Sequence, residues 1–174
     1  MVRLKQRYIL FDVLYPPTSK GGVSSEEFLN FSNSSEDALL TLHQTSPTSI
    51  NQKTLTNAIR RNILDHFGEF GSGMAGMQLT VKYFSNKTST GIIRCGRQSF
   101  HLVVAALTLI DKIEDNNVLI RCTRVSGTIK KCEEYSIART KELMYLINKN
   151  SKEQKDLNNL MSTFEGDVED EQSD

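Results

Sequence analysis

Apolar and polar positions alternate from Tyr8 to Tyr15, a run that Pro16 and Pro17 bring to a stop, and this predicts a first strand with Arg3, Lys5 and Arg7 leading into it. The period then dissolves. Residues 16–45 are rich in Ser, Thr, Asn and Gly and read as a mobile insertion, with at most a weak helix near residues 36–42. Pro47 is placed to open a helical turn. From Thr54 a helical period is plain, with Leu55, Ile59, Ile63 and Phe67 on one stripe and Gly68 as the stop. Gly71 to Gly76 reads as a flexible link. It formally matches G-x-G-x-x-G, but that fingerprint needs a strand before it and a helix after it, the reverse of the order here.

Period two returns at Met77, with Leu79, Val81 and Tyr83 on one face and Gln78, Thr80 and Lys82 on the other. A polar turn from Ser85 to Thr90 leads to a return strand in which Ile93 and Cys95 alternate with Ile92 and Arg94, and Arg97 closes it. Ser99 is a candidate cap for a helix running to Ile113 that is apolar nearly all round. Two readings of that helix stand side by side: a central core element, or one whose second side a protein partner covers. Val118, Ile120 and Cys122 set one face of a last long strand, with a bulge expected at Ser126 and Gly127 and the strand continuing to Lys131. A closing helix is predicted over residues 136–148. The order is βαββαβ plus a C-terminal helix. This predicts an α+β fold of ferredoxin-like or RNA-recognition-like type, an antiparallel sheet with helices packed on one face. One domain is expected over residues 1–148, followed by a polar to acidic, disordered tail at 149–174.

Charge sharpens this picture. The chain has 174 residues with 21 basic and 21 acidic side chains, a formal net charge of zero. The zero hides a split: residues 162–174 hold six acids and no base, leaving 21 bases against 15 acids, a net +6, in the rest. Between Lys82 and Lys131 nine bases face three acids, and those acids (Asp111, Glu114 and Asp115) fall at one helix end and its loop, so the strands are wholly basic. Such strands suit a polyanion, whose phosphates take the Arg fork or the Lys point charge. Serine and threonine hydroxyls such as that of Thr88 add donors to phosphate and ribose. The aromatic signature of base-reading RNA domains is missing, which favours backbone and shape recognition of folded RNA. Arg60 and Arg61, off the first helix stripe, read first as a solvated face.

Other chemistries lack their residues. Cys95, Cys122 and Cys132 form no C-x-x-C pair, and His43, His66 and His101 stand alone, so no protein-bound metal or cofactor and no catalytic set is expected. No run approaches the ~18 apolar residues of a membrane span. The N-terminal apolar run is broken by Asp12, which predicts a protein of the cytosol or nucleus.

Three blocks carry a family resemblance: Met1-Val-Arg-Leu-Lys-x-Arg-Tyr-Ile-Leu-Phe11, Lys82-Tyr-Phe-Ser-Asn-Lys-Thr-Ser-Thr-Gly-Ile-Ile-Arg-Cys95 and Val125-Ser-Gly-Thr-Ile-Lys-Lys-Cys132. In order and spacing they resemble the small βαββαβ protein subunit of eukaryotic and archaeal ribonuclease P, shared in eukaryotes with ribonuclease MRP. The resemblance covers residues 1–15 and 46–148, and the middle block is most similar to fungal members. It implies a non-catalytic subunit that braces the catalytic RNA near its active centre and pairs with a TIM-barrel-like protein subunit, among other subunits of the particle. That RNA, with bound Mg2+, removes the 5′ leader of precursor tRNA, and the MRP form processes ribosomal RNA precursors. A nuclear, nucleolar location follows from the resemblance. By position, Arg3, Lys5 and Arg7 would be an arm to the RNA core or the leader. Lys87, Thr88, Arg94, Arg97, Arg124, Lys130 and Lys131 would brace the RNA. Phe100, Val103, Val104 and Leu107 are the expected partner-facing set. Two other readings remain: a protein scaffold that never touches RNA, and a small acylphosphatase-like enzyme in which Asn86 and Arg94 hold a phosphate.

Overall fold

The computed structural model describes residues 5–16, 35–142, 144 and 145. Two compact units divide the chain, Met1–Cys132 and Glu133–Asp174. The first holds a four-stranded sheet: β1 (Gln6–Leu14), β2 (Thr80–Ser85), β3 (Thr90–Gly96) and β6 (Leu119–Ser126). Their order is β2-β3-β1-β6, with every neighbouring pair antiparallel. Each crossover skips one strand, as the βαββαβ pattern requires. The α+β class read from the sequence is the one found.

Helices α1 (Ser35–Leu42), α2 (Gln52–Gly76) and α3 (Phe100–Thr108) belong to the same unit. The α2 helix starts where Asn51 supplies a cap, its side chain accepting from the amides of Lys53 at 2.9 Å and Thr54 at 3.0 Å. Leu55, Ile59 and Ile63 of α2 and Val103, Ala106 and Leu107 of α3 form one core with Ile9, Phe11 and Val13 of β1, Ile93 of β3 and Ile120 of β6. Gly91 admits that core: a Cβ there would lie 2.5 Å from Cζ of Phe11. The opposite sheet face carries Leu10 and Ile92, both also buried.

Several boundaries differ from those expected. Gly68 does not end α2; it sits at φ 64° inside a helix that kinks there and runs on to Gly76, so the expected flexible link is helical. A left-handed glycine redirects a helix, and the small Gly71 and Ala75, both buried, let the second half pack. Ser99 occupies the cap position of α3 but makes no side-chain cap bond; its hydroxyl donates instead to the Gly96 carbonyl at 3.4 Å. The α3 helix stops at Thr108, and a hairpin of β4 (Lys112–Ile113) and β5 (Asn116–Asn117) follows, turning at Glu114 with φ 53°. Ile110 and Ile113 are buried either way, so the apolar pattern registered burial and not backbone form.

In β2 the register slips between Val81 and Tyr83, which pair with Ile93 and Ile92. Beyond the slip Phe84 turns inward to stack on Phe11, centroids 6.3 Å apart and planes within 9°, while Tyr83 is 50% exposed. The β6 bulge falls at Thr123 rather than at Ser126 and Gly127, and the Thr123 hydroxyl donates to the Leu10 carbonyl at 3.2 Å. The strand ends at Ser126 and residues 129–142 are helical (α4), which replaces the expected strand extension to Lys131 and starts the closing helix early. Residues 17–34, most of the expected insertion, and the acidic tail lie outside the described residues.

Candidate nucleic-acid interface

Antiparallel register gathers distant cations at one end of the sheet. Gln6 lies opposite Gly96, and Tyr8 lies between Arg94 on β3 and Ser126 on β6. The start of β1 therefore meets the ends of β3 and β6. Lys5 precedes β1 and Arg97 follows β3, and the Arg97 amide donates to the Lys5 carbonyl at 3.0 Å. The Arg7 guanidinium donates to the Gln6 carbonyl at 3.1 Å and lies over Gly127, where an added Cβ would be 3.7 Å from Nη1. After β6 the chain turns at Gly127 and Thr128 into α4, bringing Lys130 and Lys131 to this end, and the Cys132 thiol reaches the Tyr8 carbonyl at 3.6 Å. Arg124 faces Leu10 one row further in. Lys5, Arg97, Arg124, Lys130 and Lys131 are exposed or nearly so. Arg124 and Lys130 each engage another group of the chain.

Arg94 differs from the rest. It is half-buried on the sheet face opposite the helices, and its Nε is buried with no hydrogen-bond partner. A donor withdrawn from water and left unmatched costs ~1–3 kcal/mol, more when charged.

The other expected residues are placed elsewhere. Arg3 lies outside the described residues. Lys87 and Thr88 are exposed on the turn joining β2 to β3, which sits at the far end of β1, where Thr90 pairs with Asp12 and the Val13 amide donates to the Ser89 carbonyl at 2.8 Å. Six residues of strand, ~20 Å at ~3.3 Å each, separate it from the Gln6 end. The partner-facing set needs correction. Val103 and Leu107 are fully buried in the protein's own core, and Phe100 and Val104 pack partly against it, so the core reading of the helix holds. An exposed apolar stripe occurs instead on α2 beyond its kink, with Phe70 79% exposed and Met74 40%, and it continues into Met77 at 88%. Its i, i+4, i+7 spacing is visible in the sequence, but only Met74 falls inside the Gly71–Gly76 stretch that reads as a link, with Phe70 before it and Met77 after it.

The acylphosphatase-like arrangement does not form. Asn86 lies at the turn end, its amide donating to the carbonyls of Pro47 at 2.7 Å and Ile50 at 2.8 Å, far from Arg94. Burial pushes the Cys95 thiol up to about 11 against a smaller opposing pull from Arg7. Cys122 rises to about 11 through burial and then the Asp12 charge. Neither is a thiolate at neutral pH, and among the described residues no three metal-ligating side chains come together. No helix among them is long and apolar enough to cross a membrane.

Fold and site together define a class: a ferredoxin-like α+β protein that presents cations where three strand ends meet, with its Cys95 and Cys122 thiols held protonated. Comparison with known proteins supplies the family. The profile of the Rpp14/Pop5 family matches residues 7–137, well over half of the chain, and the chain belongs to that family. It is similar to the ribonuclease P/MRP protein subunit POP5 of Saccharomyces cerevisiae, 43% identical over 148 residues, which cover 84% of this chain and 82% of the relative. The subunit of the same name from Schizosaccharomyces pombe is 42% identical over 148 residues, 85% of this chain and 94% of that one. A chain in the cryo-EM structure of yeast ribonuclease MRP is similar with a TM-score of 0.41 and 13% identity, over 81% of this chain and 98% of that chain. The family resemblance carried by the three sequence blocks is thus borne out.

Proposed function

We propose that this chain is a non-catalytic RNA-binding subunit of a nuclear ribonuclease P/MRP-type ribonucleoprotein. In this reading it braces the catalytic RNA near its active centre. Precursor tRNA and ribosomal RNA precursors are the particle's substrates, and protein subunits, one of them TIM-barrel-like, are its neighbours. The RNA and its Mg2+ supply the cutting chemistry. The protein's part is electrostatic and geometric: each phosphate met by a fixed cation releases counterions, and a rigid sheet end orients the polyanion.

One observation supports this above the others. Lys5, Arg97 and Lys131 are exposed together where the start of β1 meets the ends of β3 and β6, with the half-buried Arg94 on the same stretch of sheet, an arrangement of fixed cations that suits an external polyanion. Family membership points the same way, because the relatives named above are subunits of ribonuclease P/MRP. Binding of the full chain to a transcribed ribonuclease P RNA, measured between about 50 and 200 mM salt, tests the reading. The combined change Lys5→Gln, Arg94→Gln, Lys131→Gln should weaken binding and flatten the slope of log K against log salt by roughly 0.7–0.9 for each phosphate that is no longer neutralised. Unchanged affinity and slope would leave the protein a scaffold.

A further inference from the structure

Hairpin tips are usually the loosest part of a sheet. The tip between β2 and β3, residues 86–89, is held instead from beneath by the segment between α1 and α2. The Tyr15 hydroxyl donates to Ser46 Oγ at 2.7 Å, Ser46 Oγ donates to Ser89 Oγ at 2.8 Å, and Ser89 Oγ donates to the Gln44 carbonyl. The Ser46 amide donates to the Asn86 carbonyl at 2.8 Å while the Asn86 amide group bridges back to Pro47 and Ile50. His43 Nε2 meets the Thr88 carbonyl, which also accepts from the Thr90 hydroxyl at 2.9 Å. Ser89 is fully buried and held at φ 48°, a left-handed conformation that a side chain tolerates only when its surroundings impose it.

The inward-facing side chains of this tip are thus committed, and two remain outward: Lys87, a cation, and Thr88, a hydroxyl donor, both exposed. We infer that this turn is a pre-organised grip for an RNA backbone phosphate, with Lys87 and Thr88 as its ligands and Ser46, Asn86 and Ser89 as positioning residues. The inference rests on the RNA-binding reading above. A point charge and a hydroxyl on adjacent residues suit one phosphate. Ordering the turn during folding removes an entropy cost that binding would otherwise bear. The tip's distance from the Arg94 end, ~20 Å along β1, gives the protein two separated holds on the RNA, which sets orientation as well as affinity.

The test is a double-mutant cycle on RNA binding by the full chain, with a transcribed ribonuclease P RNA as probe and Lys87→Gln and Ser46→Ala as the two changes. Each alone should weaken binding about threefold to tenfold. Lys87→Gln should also lower the salt slope by the amount that about one phosphate contributes. The pair should lose clearly less than the sum of the two single losses, because Ser46 acts through the tip that presents Lys87. Amide hydrogen exchange at residues 86–89 should accelerate in Ser46→Ala with the core amides unchanged. Additive losses would overturn the positioning role. If Lys87→Gln leaves affinity and slope untouched while Arg94→Gln weakens binding, the tip serves the fold alone and the inference fails. If Arg94→Gln is silent too, the RNA-binding reading itself has failed. Because Lys87 is exposed, its arm decides the matter even where Ser46→Ala unfolds the protein.

Discussion

A half-buried arginine with an unmatched donor is a standing cost to this fold, and that cost separates stability from function at one position. Arg94→Met keeps most of the length of the side chain and removes the orphan Nε. It is expected to raise the thermal midpoint by a few degrees, on the order of 1 kcal/mol, while weakening RNA binding. Differential scanning calorimetry beside a binding titration reads both, and a lowered midpoint would mean that Arg94 stabilises the free protein. The thiols make a second prediction. Cys95 and Cys122 are raised in the folded state to about 11 from an ordinary 9.0, so the folded protein retains protons that the unfolded chain releases. Their contribution to stability is whole below pH 9 and is lost as pH climbs toward 11. Unfolding midpoints under reducing conditions should fall across that window, and fall less in a Cys95→Ala, Cys122→Ala chain. The identity and basic character of Arg94 were legible in the sequence, since period two places it opposite Ile93. Its lost solvation was not, because that depends on strands far away in the chain.

At the scale of elements, α3 shows how one apolar pattern permits two fates. Val103 and Leu107 lie wholly within the core, so Val103→Ala or Leu107→Ala should destabilise the isolated protein by about 2–4 kcal/mol in urea unfolding. Were the helix a partner surface, the isolated protein would scarcely notice. Gly91 makes a matching test in the sheet. A methyl there would meet the Phe11 ring at 2.5 Å, so Gly91→Ala should cost on the order of 1–3 kcal/mol and displace Phe11 from its stack on Phe84, visible in the near-ultraviolet circular dichroism. The elements themselves were largely readable: the Leu55, Ile59, Ile63 stripe, the two strands around the polar turn, and the last strand all occur where period and turn chemistry put them. Their ends were not. Bulges at Thr123 and beside Tyr83 and the kink at Gly68 let a local irregularity improve distant packing, and a local pattern carries no record of packing at a distance.

The whole molecule joins what the chain separates. The strand beginning near residue 6 and those ending near residues 96 and 126 converge, and the cations at those three places become neighbours only because β1 is central. The class of fold, the family and the basic character of the strands were determined by the sequence alone, since periodicity, turn residues and charge are properties of neighbours along the backbone. Tertiary structure decided that the expected cations divide between two sheet ends and that the apolar helix faces inward. It also decided that a serine-bearing segment locks the hairpin tip. Register and burial arise from contacts between residues dozens of positions apart, and no local pattern contains them.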